Sequence, residues 1–118
     1  MDARPWAAMR LDTMDAQVDD ASVLADCAGL RATLYAAAGA GGVRVIGEAF
    51  HVFPNGGVTG VLLLAQSHLS IHTWPEVASA NVDLLSYGDV DAHRVLDVVY
   101  ERLGAHSACR SRVTRTVG

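Results

Sequence analysis

The sequence predicts an α+β fold: a two-layer sandwich with an antiparallel sheet and two helices on one of its faces. Three observations carry this. Two segments of helical periodicity are separated by consecutive strand-like runs. The turns between those runs are short and hairpin-like, which favours antiparallel pairing. The 118 residues, 51% hydrophobic and 19% charged, suffice for one globular core but not two, so residues 1–118 are expected to form a single domain.

In chain order, residues 6–12 (W-A-A-M-R-L-D) read as a first strand. From Val18 to about Ala38 the pattern is helical, with Val23, Leu24, Cys27, Leu30 and Leu34 recurring at helical spacings. The glycines of A-A-A-G-A-G-G end that helix, because glycine takes the left-handed cap geometry most easily. Cys27 falls on its apolar face and reads as a buried small hydrophobe. Residues 43–53 form a second strand, and P-N-G-G supplies turn chemistry after it. V-T-G-V-L-L-L-A is a third strand, continuing after a break into H-L-S-I-H-T, and residues 80–86 form a fourth. Asp91 N-caps a second helix whose Val95, Val99 and Leu103 face inward and which ends at Gly104. The tail from Ser107 to Val117 completes the order β-α-β-β-β-α-β, or one strand fewer if two short runs merge. The sheet's open face or edge needs cover, and a homodimer is the simplest way to supply it.

Composition excludes several functions. A net charge of −4 argues against nucleic acid, and Arg110, Arg112 and Arg115 alternate as a solvated strand face would. No apolar run approaches the roughly 20 residues of a membrane span, and M-D-A-R-P-W has no secretory h-region. Cys27 and Cys109 form no C-x-x-C pair, which suits a reducing cytoplasm. No metal site is expected: His68 and His72 are four apart, but H-L-S-I-H lacks the glutamate of H-E-x-x-H and lies in strand-like sequence. The chain contains no lysine, which closes off pyridoxal phosphate chemistry through an internal Schiff base.

The densest chemistry is A-Q-S-H-L-S-I-H-T-W-P-E, residues 65–76, behind a wholly apolar run. A Ser–His hydrolase is one reading of these residues. It lacks a G-x-S-x-G elbow, and a strand's period of two puts Ser67 and His72 on opposite faces unless the backbone bends. The plainer alternative is two satisfied histidines at a strand end with Trp74 in the core.

The run S-H-L-S-I-H-T-W-P-E resembles the signature of prokaryotic S-adenosylmethionine decarboxylase proenzymes, E-S-H-[LI]-[ST]-I-H-T-W-P-E, in all but its leading residue. Upstream, F-H-V-F-P-N-G-G-V-T-G is similar to that family's F-H-x-F-x-P-x-G-V-S-G. The resemblance implies self-cleavage between Gln66 and Ser67, with Ser67 becoming a pyruvoyl group that forms the Schiff base with substrate. It implies that His72 and Thr59 assist processing, Thr59 standing where the family has serine and keeping its hydroxyl. It further implies that Phe53 stacks on the substrate's adenine across a dimer interface, that Glu76 holds the ribose hydroxyls, and that Trp74 belongs to the same substrate site. The implied activity is decarboxylation of S-adenosylmethionine for spermidine synthesis.

This chain departs from the family pattern in three places. Gln66 replaces the glutamate before the serine. Y-A-A-V-D-x-F-T-C-G becomes S-A-N-V-D-L-L-S-Y-G, which puts Tyr87 where the family has its proton-donating cysteine. A phenol, with a reference pKa near 10 against about 8.5 for a thiol, is the weaker acid. The aromatics after W-P-E are replaced by Val77, Ala78 and Ser79, and a further phenylalanine by Leu85. Two alternatives follow: a relative that decarboxylates ornithine or arginine with the same pyruvoyl group, and an unprocessed, non-catalytic paralogue.

Overall fold

The structure is a computed structural model describing Arg4 and residues 7–117. Its elements are β1 (Ala8–Val18), α1 (Cys27–Ala40), β2 (Val45–Val52), β3 (Val58–Leu64), β4 (Ser67–Trp74), β5 (Ser79–Ser86), α2 (Ala92–Leu103) and β6 (Ala105–Thr116). The strands form one six-stranded antiparallel sheet in the order β2-β3-β4-β5-β1-β6.

Strand alternation sorts the two faces. In β5, Ala80, Val82, Leu84 and Ser86 are buried, while Ser79, Asn81, Asp83 and Leu85 between them are only partly covered. The inward residues of β1, β3 and β4 (Met14, Ala16, Leu62, Leu69, Ile71) join them in one core. Leu30, Leu34, Ala37 and Ala38 of α1 and Val95, Leu96, Val99 and Leu103 of α2 close that core from one side. Each fully buried aliphatic side chain contributes about 1.5–3 kcal/mol. The other face has no helix. It presents Thr59, Val61 and Leu63 of β3, His68, Ser70, His72 and Trp74 of β4, and Asn81 and Asp83 of β5.

The expected two-layer α+β sandwich is therefore what the chain forms, with several boundaries moved. The first strand runs on to Val18, and Trp6 of the expected strand lies outside the described residues. Residues 21–25 form a 3-10 turn capped by Asp20, and α1 begins only at Cys27, where the Asp26 carboxylate accepts from Gly29 N at 2.9 Å. Cys27 is consequently half-buried at the helix start rather than buried on its apolar face. The break inside the third strand is a hairpin: Ala65 and Gln66 form a two-residue loop, Leu64 pairs with Ser67, and six strands result. Arg110 and Arg112 are not a free solvated face. They pair with Asp97 of α2 (2.9 Å) and the buried Asp12 of β1 (2.8 Å), tying the edge strand β6 to its neighbours. The second helix has the expected ends, Asp91 as N-cap and Gly104 in the left-handed cap.

Candidate active site

Strand β4 carries the sequence-predicted cluster, and the fold divides that cluster between its two ends. Ser67 stands at the start, directly after the two-residue loop, with φ +107°. That lies in the left-handed region, which a side chain with a Cβ rarely adopts, and such positions cost on the order of 1–3 kcal/mol. Among the described residues the only other non-glycine with positive φ is Ala78, which ends the 3-10 turn Pro75–Val77. The loop is anchored through Ala65: its N–H donates to Arg44 O at 2.9 Å, and its carbonyl accepts from the Tyr87 hydroxyl at 3.4 Å. Tyr87 follows the last residue of β5, so the side chain at the expected donor position does reach the turn that holds Ser67.

The rest of the expected residues gather at the other end. Thr59 of β3 lies opposite His72 in register, and the Thr59 hydroxyl meets His72 Nδ1 at 3.0 Å. That contact leaves Nε2 as the ring nitrogen able to exchange a proton elsewhere. Beside this pair is a cavity of about 420 Å³ lined by Phe53, Asn55, Gly57, Thr59, His72 and Trp74. Phe53 is held edge-on by His51, with ring centroids 4.6 Å apart. Glu76 follows Pro75 in the 3-10 turn, where its Oε2 accepts from Asn55 Nδ2 at 3.1 Å. Gly57 permits this corner to close, since a Cβ there would meet the Thr73 carbonyl oxygen at 2.9 Å. Thr73 locks the corner to the core: its buried hydroxyl donates to Leu24 O at 2.7 Å and accepts from Val58 N at 2.8 Å.

The structure thus brings together Thr59, His72, Phe53, Trp74 and Glu76, and separately Gln66, Ser67 and Tyr87. It does not join the two groups within one chain. His72 is five residues along an extended strand from Ser67, about 17 Å at the usual rise. Cys109, the thiol of β6, pairs with Asp15, itself opposite Asn81 and thus in the His72 row, away from Ser67. Asn55, Asn81 and Asp15 are site neighbours that sequence reasoning missed. Asn55 stands in an evident turn motif, but Asn81 and Asp15 become visible only through strand register. Among the described residues no group of three or more His, Cys, Asp and Glu side chains is arranged to hold a metal ion, and no helix is long and apolar enough to cross a membrane.

A helix-backed antiparallel sheet with a strained serine at one hairpin and a Thr–His pair at the opposite end of the same strand defines a class of small α+β sandwich built around a serine-bearing turn. The chain belongs to the S-adenosylmethionine decarboxylase family, whose pattern matches residues 11–116. It is 36% identical over 108 residues to a Pseudomonas paraeruginosa protein named S-adenosylmethionine decarboxylase proenzyme, covering 91% of this chain and 64% of that protein. A proenzyme of the same name from Symbiobacterium thermophilum is 42% identical over 93 residues, covering 78% of this chain and 70% of its own length. The crystal structure of the adenosylmethionine decarboxylase from Aquifex aeolicus superposes with a TM-score of 0.86 at 30% identity, covering 95% of this chain and 93% of that one. The chain spans slightly under two thirds of the length of its Pseudomonas relatives.

Proposed function

We propose that this chain is a self-processing, pyruvoyl-dependent decarboxylase of S-adenosylmethionine that supplies an aminopropyl donor for spermidine synthesis. The observation that carries the reading is the left-handed backbone of Ser67, at the bond where the motif implies cleavage. Strain there raises the energy of the uncut chain and is relieved when the Gln66–Ser67 bond opens. In that step Ser67 Oγ bonds to the Gln66 carbonyl carbon, the C–N bond breaks, and the freed serine nitrogen takes a proton. Loss of the Ser67 α-proton then breaks the Cβ–Oγ bond and expels the Gln66 carboxylate. The remaining enamine takes up water and releases ammonia, leaving a keto group at the new N-terminus of residues 67–118. That group supplies the electron sink which decarboxylation of an α-amino acid needs and which a lysine-free chain cannot obtain from pyridoxal phosphate. The residues present fit it: Ser67 is only partly covered, at a strand end beside a two-residue loop.

The processing base and acid would come from a second copy. One chain holds His72 about 17 Å from Ser67, and the helix-free face bearing His72 is the one a homodimer would cover. A two-fold axis between two facing sheets, crossing β4 near Ser70, reverses the strand and brings the turn at Ser67 of one copy, where the positive φ interrupts the strand's alternation, over His72 of the other. His72, oriented by Thr59 on Nδ1, then moves protons with Nε2. Phe53 and Trp74 wall the substrate's aromatic part, and the two oxygens of Glu76 accept from its hydroxyls. Tyr87, already at the turn, stands as the proton donor. The two unpaired cysteines suit the reducing cytoplasm.

Tyr87 favours a second reading. A phenol where relatives carry a thiol, with Ser79 and Leu85 in place of aromatics, alters the substrate side more than the processing side, as a relative acting on ornithine or arginine would. Intact mass spectrometry of the purified protein tests the main reading first. Two fragments, residues 1–66 and 67–118, are expected; a single 12.4 kDa species, unchanged on long incubation, identifies an uncut paralogue and overturns the pyruvoyl reading. Carbon dioxide release from S-adenosylmethionine, compared with ornithine and arginine, then decides the substrate.

A further inference from the structure

The helix-free face carries a hydrogen-bonded chain that runs across three strands. Trp74 Nε1 donates to Asn81 Oδ1 at 2.7 Å, and Asn81 Nδ2 donates to Asp15 Oδ1 at 2.8 Å. We propose that Asn81 and Asp15 are positioning residues that fix the Trp74 indole as one wall of the 420 Å³ cavity, and thereby set how tightly that cavity holds the planar aromatic part of its ligand.

The chain has only one polarity. An indole N–H can only donate and an ionised carboxylate can only accept, so the amide between them must turn its oxygen to Trp74 and its nitrogen to Asp15. Register places the three residues for this: Asn81 lies directly opposite Asp15 on β1, and Trp74 pairs with Ser79, two positions along β5 from Asn81. The indole needs such a tether. It is 48% exposed at the end of β4, and the residue directly opposite it, Ser79, is too small to hold a ring and bonds instead to Val77 O. The facing wall is built in a parallel way, since Phe53 is 45% exposed and is steadied by the edge of His51. Each wall of the cavity therefore has a half-exposed aromatic and a separate residue that restricts it. Restricting a ring before binding removes the rotamer entropy that its ordering would otherwise cost on binding.

The inference about ligand affinity rests on the reading of this cavity as the substrate site; the inference about the indole does not. Both are tested in the Trp6→Phe, Ser67→Ala protein, where Trp74 is the sole tryptophan and the chain stays uncut. Adding Asn81→Ala is expected to red-shift Trp74 emission and raise its acrylamide quenching at least twofold. Asp15→Ala should do the same to a smaller extent, while Asp15→Asn, which keeps an acceptor oxygen, restores the parent spectrum. Titration with S-adenosylmethionine, followed by the same emission, should show Kd rising about tenfold in Asn81→Ala. In the processed enzyme the same substitution should raise KM and leave kcat within twofold. Unchanged emission and quenching in Asn81→Ala would overturn the positioning role. A loosened indole with unchanged Kd would overturn its link to affinity. A loosened indole with no response to S-adenosylmethionine in the parent protein either would support the positioning role and count against the substrate reading alone.

Discussion

The two ends of β4 are built on opposite principles. At its start, Ser67 is held in a backbone conformation unfavourable to it, in a loop anchored by Ala65 to Arg44 and Tyr87. At its finish, His72 Nδ1, the Thr73 hydroxyl and the Trp74 indole N–H are bonded, to Thr59, to Leu24 and Val58, and to Asn81. One end has a strained backbone, and the other holds in fixed positions the groups proposed for proton transfer and binding. A motif that is compact in sequence is thus spread along a strand, and neither end is sufficient for the proposed chemistry. Under the proposed function, separation of this kind would make self-cleavage a property of an assembly rather than of a chain.

The largest expected effect breaks the strained end outright. Ser67→Ala should abolish cleavage and leave one uncut species by mass spectrometry; cleavage persisting at Gln66 would place the reacting hydroxyl elsewhere. Next comes Tyr87→Cys, which replaces the phenol by the family's thiol. It is expected to raise turnover on S-adenosylmethionine about tenfold, a part of the roughly 10²–10⁴-fold that a positioned general acid supplies. Unchanged or lower turnover would count against Tyr87 as the donor. The ordered end is probed by Thr73→Val, which leaves Val58 N and Leu24 O without their partner. Loss of about 1–3 kcal/mol is expected in denaturant unfolding of the uncut chain.

The smallest effect lies away from both ends and serves as a control on the fold. Glu48 of β2 accepts from Arg31 and from Tyr35 of α1, the latter at 2.7 Å. The Arg31 hydrogen bond foremost, then that of Tyr35, lowers its pKa from 4.5 to about 2. A depressed carboxylate pKa adds stability that is complete above the unfolded value of 4.5 and is lost as pH falls toward 2. The difference in melting temperature between wild type and Glu48→Gln should therefore be constant above pH 4.5 and shrink below it. A difference independent of pH would contradict this, and the effect is small because the pair is solvent-exposed.

How far the sequence could be read follows from the range of the forces involved. The second helix was legible to the residue because its caps, Asp91 and Gly104, are local chemistry. The hairpin between β3 and β4 was read as an interruption because Ala65 and Gln66 carry none of the glycine, asparagine or proline that usually marks a tight turn. The conformational cost falls on Ser67 instead, so the feature that hid the turn is also the one that points to function. Residues 13–18 alternate in strand fashion, yet Val18 also stands five residues before Val23 in an apolar series that suits a helix, and only pairing with β6 assigns it to β1. The motif names the residues of the candidate site. The separation of Ser67 from His72 is implicit in the strand reading of H-L-S-I-H-T, since five residues of extended chain span about 17 Å; the strained backbone of Ser67 has no such sequence signal. Asn81 and Asp15, 66 positions apart, carry no local signal at all.

The central claim, that Ser67 of one copy is processed by His72 of another, has a direct test in complementation. His72→Ala protein should cleave at least a hundredfold slower than wild type, and Ser67→Ala protein should not cleave. Co-expressed and purified as a mixed assembly, they should restore cleavage of the His72→Ala chain alone, because the Ser67→Ala partner supplies the histidine. Followed by intact mass, the two chains are distinguishable. Restored cleavage is the predicted result; a His72→Ala chain that stays as slow in the mixture as by itself would contradict the account.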